Sequence, residues 1–414
     1  MTAADLCRGW FYHNGALRLA SSLGWGLQML KEDAVRLGLH DARAKLQAAW
    51  TNLPPQAQWM PYAEHPAIVD EGLPSYVRDW FEHDAPGEYW TAMDISERAK
   101  KIAVPALHVS GWYDTYLEGS VAGFELLREK SPAREQQYLL AGPWVHIPWG
   151  DRGGEMQWSD AALLDTDALL LRWFDHWLKD AGTWDDEPRV RHFALGANQW
   201  CRSESCQGAA EKELYLHSAG RAESRKGDGV LSEGAPQDEP ADMFVYDPEV
   251  PVVSPAPGMD QAAMEMGNNL LVYTGAALTE PLHVFGRPKV ELYAKTSAAH
   301  ADLTAKLVRV LASGRAEFCC IGIARSSALF ADYKPDKVQR WVFTLEPTST
   351  VFAAGERVRL EVAGGAFPLY DRNPSNATNP PQMSPWNWGR STHTVLHDAQ
   401  HPSAVTLPVT EVSA

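Results

Sequence analysis

Positive charge is scarce in this chain. Its 37 lysines and arginines stand against 53 acidic residues, a net charge of −16. Nucleic acids and anionic membranes need a basic face, so both are set aside as partners. No apolar run reaches eighteen residues, which argues against a membrane-spanning helix. The opening residues show no charged segment followed by an apolar one, so no secretory leader is expected and a cytoplasmic location is. Cysteine is sparse and odd in number at five, with Cys319 and Cys320 adjacent. That pattern suits free thiols in a reducing compartment better than a disulfide framework. Cys201 and Cys206 form a lone pair without further ligands, so zinc is not expected. No phosphate-cradling glycine loop lies between a strand and a helix, so no cofactor is expected. Finally, no serine has glycine at both i−2 and i+2, the spacing of a nucleophile elbow.

What is present describes a globular chain. At 414 residues, 45% hydrophobic and 22% charged, it has room for two or three domains with their own cores. Thirteen of its 17 tryptophans lie at or before Trp184, so the chain changes character near residue 185. An aromatic-rich first part can line an apolar pocket or simply fill a core.

Residues 1–95 lack strand alternation. A helical stretch over 32–50 and prolines 54, 55, 61, 66, 74 and 86 predict short helices joined by proline-rich loops. Residues 102–113 (IAVPALHVSGWY) and 136–144 (QQYLLAGPW) are apolar runs of the kind buried on both faces of a parallel sheet. Between them 119–130 has a helical apolar face, and 167–180 (DALLLRWFDHWLKD) predicts a second amphipathic helix. This β–α–β order implies parallel strands joined by a right-handed crossover. From about residue 188 short alternating segments follow, separated by Gly, Pro and Asp turns, the pattern of an all-β sandwich. Residues 204–243 and 254–268 read mostly as long loops.

Two residues stand out at the strand ends, Asp114 in GWYDTYL and His146 in AGPWVHIPWG. Parallel strands of an open α/β sheet gather their sites at the carboxyl edge. A histidine there can take a proton from a hydroxyl nucleophile, and a protected carboxylate can hold its tautomer. The order Asp then His is that of α/β-hydrolases, with the serine expected earlier in the chain. The spacing His393, His397, His401 would share one face of a helix, but the segment reads as strand and turn before Pro402, so no metal site is expected.

The strings Gly111-Trp112-Tyr113-Asp114 and Gly142-Pro143-Trp144-Val145-His146, with ADLCRGWFY (4–12), FDHWLKD (174–180), YDPEVPV (246–252), LTAKLVRV (303–310), TSTVFAAGERVRLEVAGGAFPLYDRN (348–373) and HDAQHPS (397–403), resemble the cocaine-esterase and X-Pro dipeptidyl-peptidase family of serine hydrolases. The resemblance covers essentially the whole chain. It implies a helical cap over 1–95, the C-terminal part of an α/β-hydrolase domain over 96–187, and a jelly-roll β-sandwich over 188–414. It implies that Asp114 and His146 are catalytic, and that Trp10, Trp25 and Tyr116 border the substrate pocket. The loop SPAPG at 254–258 departs from the Gly-Gly ending common among relatives. In the family the serine and both oxyanion donors precede the segment matched by residues 4–12, so they are expected upstream of this chain.

The resulting expectation is an acyl hydrolase for a small-molecule ester or amide, inactive without the upstream half. That half, or a second copy of the chain, is the expected partner. Two parallel strands left with an open edge also predict that the isolated chain is poorly soluble or folds mainly in its C-terminal β domain. The competing readings are a non-catalytic jelly-roll binding module and an inactive truncated gene product.

Overall fold

The computed structural model describes residues 3–147, 149–376, 383–384 and 387–411. Its first part is helical. Helix α1 (Leu19–Arg36) buries Leu19, Leu23, Leu27, Leu30 and Ala34, a stripe at helical spacing that packs on α2 (His40–Thr51) through Ala42, Leu46 and Ala49. The continuous helix predicted over 32–50 is broken, because Gly38 takes the left-handed conformation at φ +71° and the Leu39 N–H caps the Ala34 carbonyl at 2.9 Å. Helix α3 (Tyr76–Glu82) crosses α1 closely: a Cβ on Gly26 would meet Val77 Cγ1 at 2.7 Å.

The α/β part begins with β1 (Ala106–Gly111), continues through helix α4 (Leu117–Lys130) and returns in β2 (Gln137–Gly142). The two strands are parallel, in register from Ala106 opposite Gln137 to Gly111 opposite Gly142. Helix α5 (Thr166–Lys179) is capped by Asp165, whose side chain accepts the Ala168 N–H at 2.9 Å. It buries Leu169 and Trp173 against Val109, Tyr138, Leu140 and Trp144. Leu171, Phe174 and Leu178 of the same helix face outward, while Trp177 packs against the buried cluster.

The sheet does not stop near residue 187. Strand β3 (Val190–Ala194) pairs parallel to β2, and β4 (Gln199–Ser203) pairs antiparallel to β3, giving the order β1-β2-β3-β4. Segments expected at the start of the β-sandwich therefore close one side of the α/β sheet. The physical reason is that β2 is buried throughout and needs a strand on each side. On the opposite side β1 is an edge, with no strand beyond it among the described residues. No helix among them is long and apolar enough to cross a membrane.

Among the described residues thirteen further strands between Ala210 and Thr410 form one hydrogen-bonded network. Strands Val230–Ser232 and Asp242–Tyr246 and a helical turn at Gln261–Met266 break up the stretches expected to be loops. Four strands matter below: β5 (Leu270–Gly275), β6 (Asp302–Val310), β7 (Ala316–Arg325) and β8 (Arg357–Ala363), adjacent in the order β5-β8-β6-β7. One face of β5, β6 and β8 supplies Leu271, Tyr273, Leu303, Leu307, Val358, Leu360 and Val362 to the largest core.

The β domain grips both earlier parts. Phe318, Ile321 and Ile323 of β7 pack on Ala16, Ala366 and Tyr370. Arg325, fully enclosed, is held by Asp302 and Asp371 at 2.8 Å each, and Asp371 in turn accepts the Leu17 N–H at 2.9 Å. A buried guanidinium is tolerable only when its donors are used in this way. Arg18–Glu346 at 2.7 Å and Arg287–Glu118 at 3.0 Å add two more ion pairs across the junction.

Candidate active site

Two glycines bring the strand ends together. A Cβ on Gly111 would lie 2.1 Å from the Trp144 carbonyl oxygen, and one on Gly142 would lie 2.3 Å from the Trp144 ring. Neither position tolerates a side chain. The chains leaving β1 and β2 therefore stay bonded past the strands, through Trp112 N–H to Gly142 O at 2.9 Å and Tyr113 N–H to Trp144 O at 3.1 Å. Trp112 is pinned by its indole N–H to the Phe193 carbonyl of β3 at 2.7 Å.

Asp114 follows in a turn closed by its own N–H on the Gly111 carbonyl at 3.0 Å. Its side chain is completely covered. Oδ1 accepts the Tyr116 N–H at 2.9 Å and His146 Nδ1 at 3.1 Å, while Ser110 Oγ lies 3.5 Å from Oδ2. Burial pushes the Asp114 carboxyl up from its ordinary range, opposed by the Tyr116 N–H and by His146. With Nδ1 donating to this carboxylate, His146 presents Nε2 as a proton acceptor. The His146 side chain is 43% exposed, and its backbone carbonyl accepts the Trp149 indole N–H at 3.0 Å.

An aromatic column continues from the imidazole. Tyr116 stacks on His146 with ring centres 5.1 Å apart, and Trp10 lies 5.5 Å beyond Tyr116. The structure thus brings Asp114, His146, Tyr116 and Trp10 into one group. Trp25 is on α1, 40% exposed, and has no ring contact with that group among the described residues. Ser110 and Trp149 escaped the sequence reading. Ser110 immediately precedes the string that carries Asp114 and Trp149 lies within the one that carries His146, and that proximity was the available signal.

The three spaced histidines diverge. His393 Nε2 meets Ser391 Oγ at 3.1 Å, His397 Nε2 meets Asp242 at 2.8 Å, and His401 meets Asp398 at 3.1 Å.

The X-Pro dipeptidyl-peptidase C-terminal non-catalytic domain matches residues 182–406, more than half of the chain, and the X-Pro dipeptidyl-peptidase (S15 family) model matches residues 1–148. The chain belongs to the X-Pro dipeptidyl-peptidase family. Within the family, the chain is 29% identical to the cocaine esterase of Rhodococcus sp. (strain MB1 Bresler) over 441 aligned residues, covering 99% of this chain and 75% of the esterase. An α-amino acid ester hydrolase structure superposes with a TM-score of 0.69 at 25% identity, over 81% of this chain and 60% of that one. An aminopeptidase from a marine sediment Thaumarchaeota archaeon shares the fold, with a TM-score of 0.77 at 23% identity over 99% of this chain and 71% of that one. In this family member, then, an α/β sheet carrying Asp114 and His146 is joined to a C-terminal β domain.

Proposed function

We propose that the chain provides the acid–base half of a serine acyl hydrolase acting on ester or amide bonds of small molecules. The observation that carries this reading is the 3.1 Å contact of His146 Nδ1 with the enclosed Asp114, with the imidazole itself part-exposed. In the proposed cycle Nε2 takes the serine proton as Oγ bonds to the substrate carbonyl carbon. The imidazolium, stabilised by Asp114, then gives that proton to the departing alkoxide or amine. Water repeats the sequence on the acyl-serine and regenerates the hydroxyl. Trp10 and Tyr116 offer an apolar wall beside the imidazole for the acyl or leaving group.

The serine and the oxyanion donors belong, in this proposal, to a segment outside the present sequence. Among the described residues no hydroxyl or thiol is hydrogen-bonded to His146 Nε2, and no serine has the elbow spacing. The unpaired edge of β1 is the place for such a segment to join the sheet. A jelly-roll topology for the β domain is part of the same reading.

The test is covalent. A fluorophosphonate incubated with the purified 414-residue chain is expected to label no serine, and stoichiometric labelling would overturn the proposal. The DNA upstream of the Met1 codon is expected to encode an in-frame G-x-S-x-G. Expression of that longer product is expected to give labelling and ester hydrolysis, both lost when its elbow serine is replaced by alanine.

A further inference from the structure

We propose that a cleft on the outer face of the β domain binds a phosphate group. It rests on a different part of the molecule from the Asp114–His146 site and does not depend on that reading.

The face of β8 turned away from the core carries Arg357, Arg359 and Glu361 at alternate positions. Their cross-strand neighbours are Val310 opposite Arg357, Thr274 opposite Arg359, and Lys306 opposite Glu361. A roof covers this face. The loop at 221–229 is bonded to β5 through Val272 N–H to Ala222 O at 2.7 Å, and to the turn at Gln261–Met266 through Arg225 N–H to Glu265 O at 2.8 Å. Two glycines lay the loop down tightly: a Cβ on Gly229 would meet the Val272 carbonyl at 2.1 Å, and one on Gly227 the Arg221 carbonyl at 2.1 Å. Between roof and sheet remains a cleft of about 280 Å³ lined by Ser224, Arg225, Gly227, Thr274, Arg357 and Arg359 among others.

Charge in this cleft is unbalanced. Arg359, 5% exposed, donates Nη1 to Glu265 at 2.5 Å and Nε to Thr274 Oγ1 at 2.9 Å. Arg225 Nε lies 3.6 Å from the same carboxylate, and its Nη2 donates to the Gly314 carbonyl at 3.1 Å. Arg357 donates to the Gly275 carbonyl at 3.0 Å and, among the described residues, has no carboxylate within 4.0 Å. Of the loop's two acidic residues, Asp228 is turned to Arg221, 3.9 Å from its Nε, and Glu223 is in no ion pair with the three arginines among the described residues. Behind the cleft Lys306 offsets Glu361 at 2.6 Å. Two guanidiniums thus share the Glu265 carboxylate while the third, Arg357, has none within 4.0 Å among the described residues, in a chain whose net charge is −16.

The donors left over point to the ligand. The bonds above leave guanidinium N–H groups unused on all three arginines. Thr274 Oγ1 accepts from Arg359, and Ser224 Oγ accepts the Lys226 N–H at 3.3 Å, so both hydroxyl protons remain available. A planar carboxylate has two oxygens for such a set. A tetrahedral phosphate has more acceptor oxygens and, as a dianion, answers the excess charge.

The experiment is isothermal titration of the purified full chain at pH 7.5 and constant ionic strength. Inorganic phosphate, glycerol 3-phosphate and acetate are the probes, with chloride as the balancing salt. Saturable one-to-one binding of a phosphate compound, about tenfold or more tighter than acetate, is expected. Arg357→Gln and Arg225→Gln are each expected to weaken it by about tenfold, with the phosphate-free melting temperature unchanged for the exposed Arg357. Tighter glycerol 3-phosphate than phosphate would assign the site to phosphorylated small molecules, and the reverse to free phosphate; either supports the proposal. Acetate binding as well as phosphate, binding indifferent to both substitutions, or no heat beyond the chloride control would overturn it.

Discussion

Two aspartate–histidine pairs, Asp114–His146 at the sheet edge and Asp242–His397 in the β domain, are built in opposite ways. Asp114 meets His146 through Nδ1, and the His146 side chain is 43% exposed. Asp242 meets His397 through Nε2 at 2.8 Å, and both side chains are fully enclosed. Around Asp242 the remaining positions are taken: Ser218 Oγ and Tyr273 O–H donate to Oδ2 at 2.7 and 2.8 Å, and the Ala222 N–H to Oδ1 at 2.9 Å. On the far side of His397, Glu239 lies 3.4 Å from Nδ1. The residue types match those of a triad, since Ser218 Oγ is also 3.2 Å from His397 Nε2. Yet serine and aspartate crowd one nitrogen there, whereas a relay needs them on opposite nitrogens. The β-domain pair is a structural knot. The pair at the sheet edge leaves His146 Nε2 without a bonded partner among the described residues.

The largest expected difference between the pairs is in activity. In the proposed longer product with an elbow serine, His146→Ala should lower kcat/KM for an activated ester by about 10³-fold or more. His397→Ala, assayed at equal concentration of folded protein, should leave kcat/KM unchanged. A comparable loss in both variants would dissolve the distinction.

Stability should rank the pairs the other way. Removing one partner of a buried, fully bonded pair typically costs about 3–5 kcal/mol, so His397→Ala should cut the β-domain unfolding free energy by about that amount in denaturant titrations. Asp114→Asn removes a charge that burial already disfavours, so that variant should melt at the same temperature as the parent or slightly above it. The opposite order of melting temperatures would show that the site pair, too, is structural.

The pH dependence separates them further. Burial by itself would lower His397 and raise Asp242, but the Asp242 bond and Glu239 together lift His397, while the His397, Ala222, Ser218 and Tyr273 bonds hold Asp242 below its ordinary range. A raised histidine stabilises the fold below its unfolded value near 6.5 and loses that contribution as pH climbs through its folded value. A depressed aspartate contributes above its unfolded value near 3.8 and loses that as pH falls through the folded one. The knot should therefore hold best between these limits and weaken on both sides, and His397→Gln should flatten the alkaline side of a melting-temperature profile.

Sequence alone reached Asp114 and His146 because each ends an apolar run, and apolar runs of that length have few places to go but a buried sheet. It reached neither the knot nor the route of the sheet. His397 and Asp242 are 155 residues apart, and their meeting depends on strand order, which local pattern does not encode. Strands β3 and β4 alternate like the β-domain segments that follow them. What assigns them to the α/β sheet is the uncovered side of β2, visible only once the strands are assembled. Gly38 was readable as a helix stop, but the helical pattern on both sides of it masked the break. The arginines of β8 alternate with core residues as any half-buried strand would, so their convergence with Arg225 on one cleft left no trace in the pattern.

The smallest expected effects concern the aromatic residues assigned to the pocket, and they distinguish contact from resemblance. Tyr116 touches both sides of the site, with its N–H on Asp114 and its ring on His146. Substitution by leucine keeps the backbone bond and removes the ring. Aromatic pairs contribute about 0.5–1.5 kcal/mol beyond their buried area, so Tyr116→Leu should reduce kcat/KM by about two- to tenfold. The loss should fall partly on kcat, because an imidazole without its stacking partner samples orientations that miss the serine. Trp25 has no ring in contact with the group and is 40% exposed. Trp25→Leu should leave kcat alone and change KM only for substrates bulky enough to reach α1. A series of acetyl, butyryl and benzoyl esters assayed with both variants would read this directly. If Trp25→Leu lowered kcat for the acetyl ester as much as Tyr116→Leu, the pocket would have to extend over α1 even for the smallest acyl group, and the column Trp10–Tyr116–His146 would describe only one of its walls.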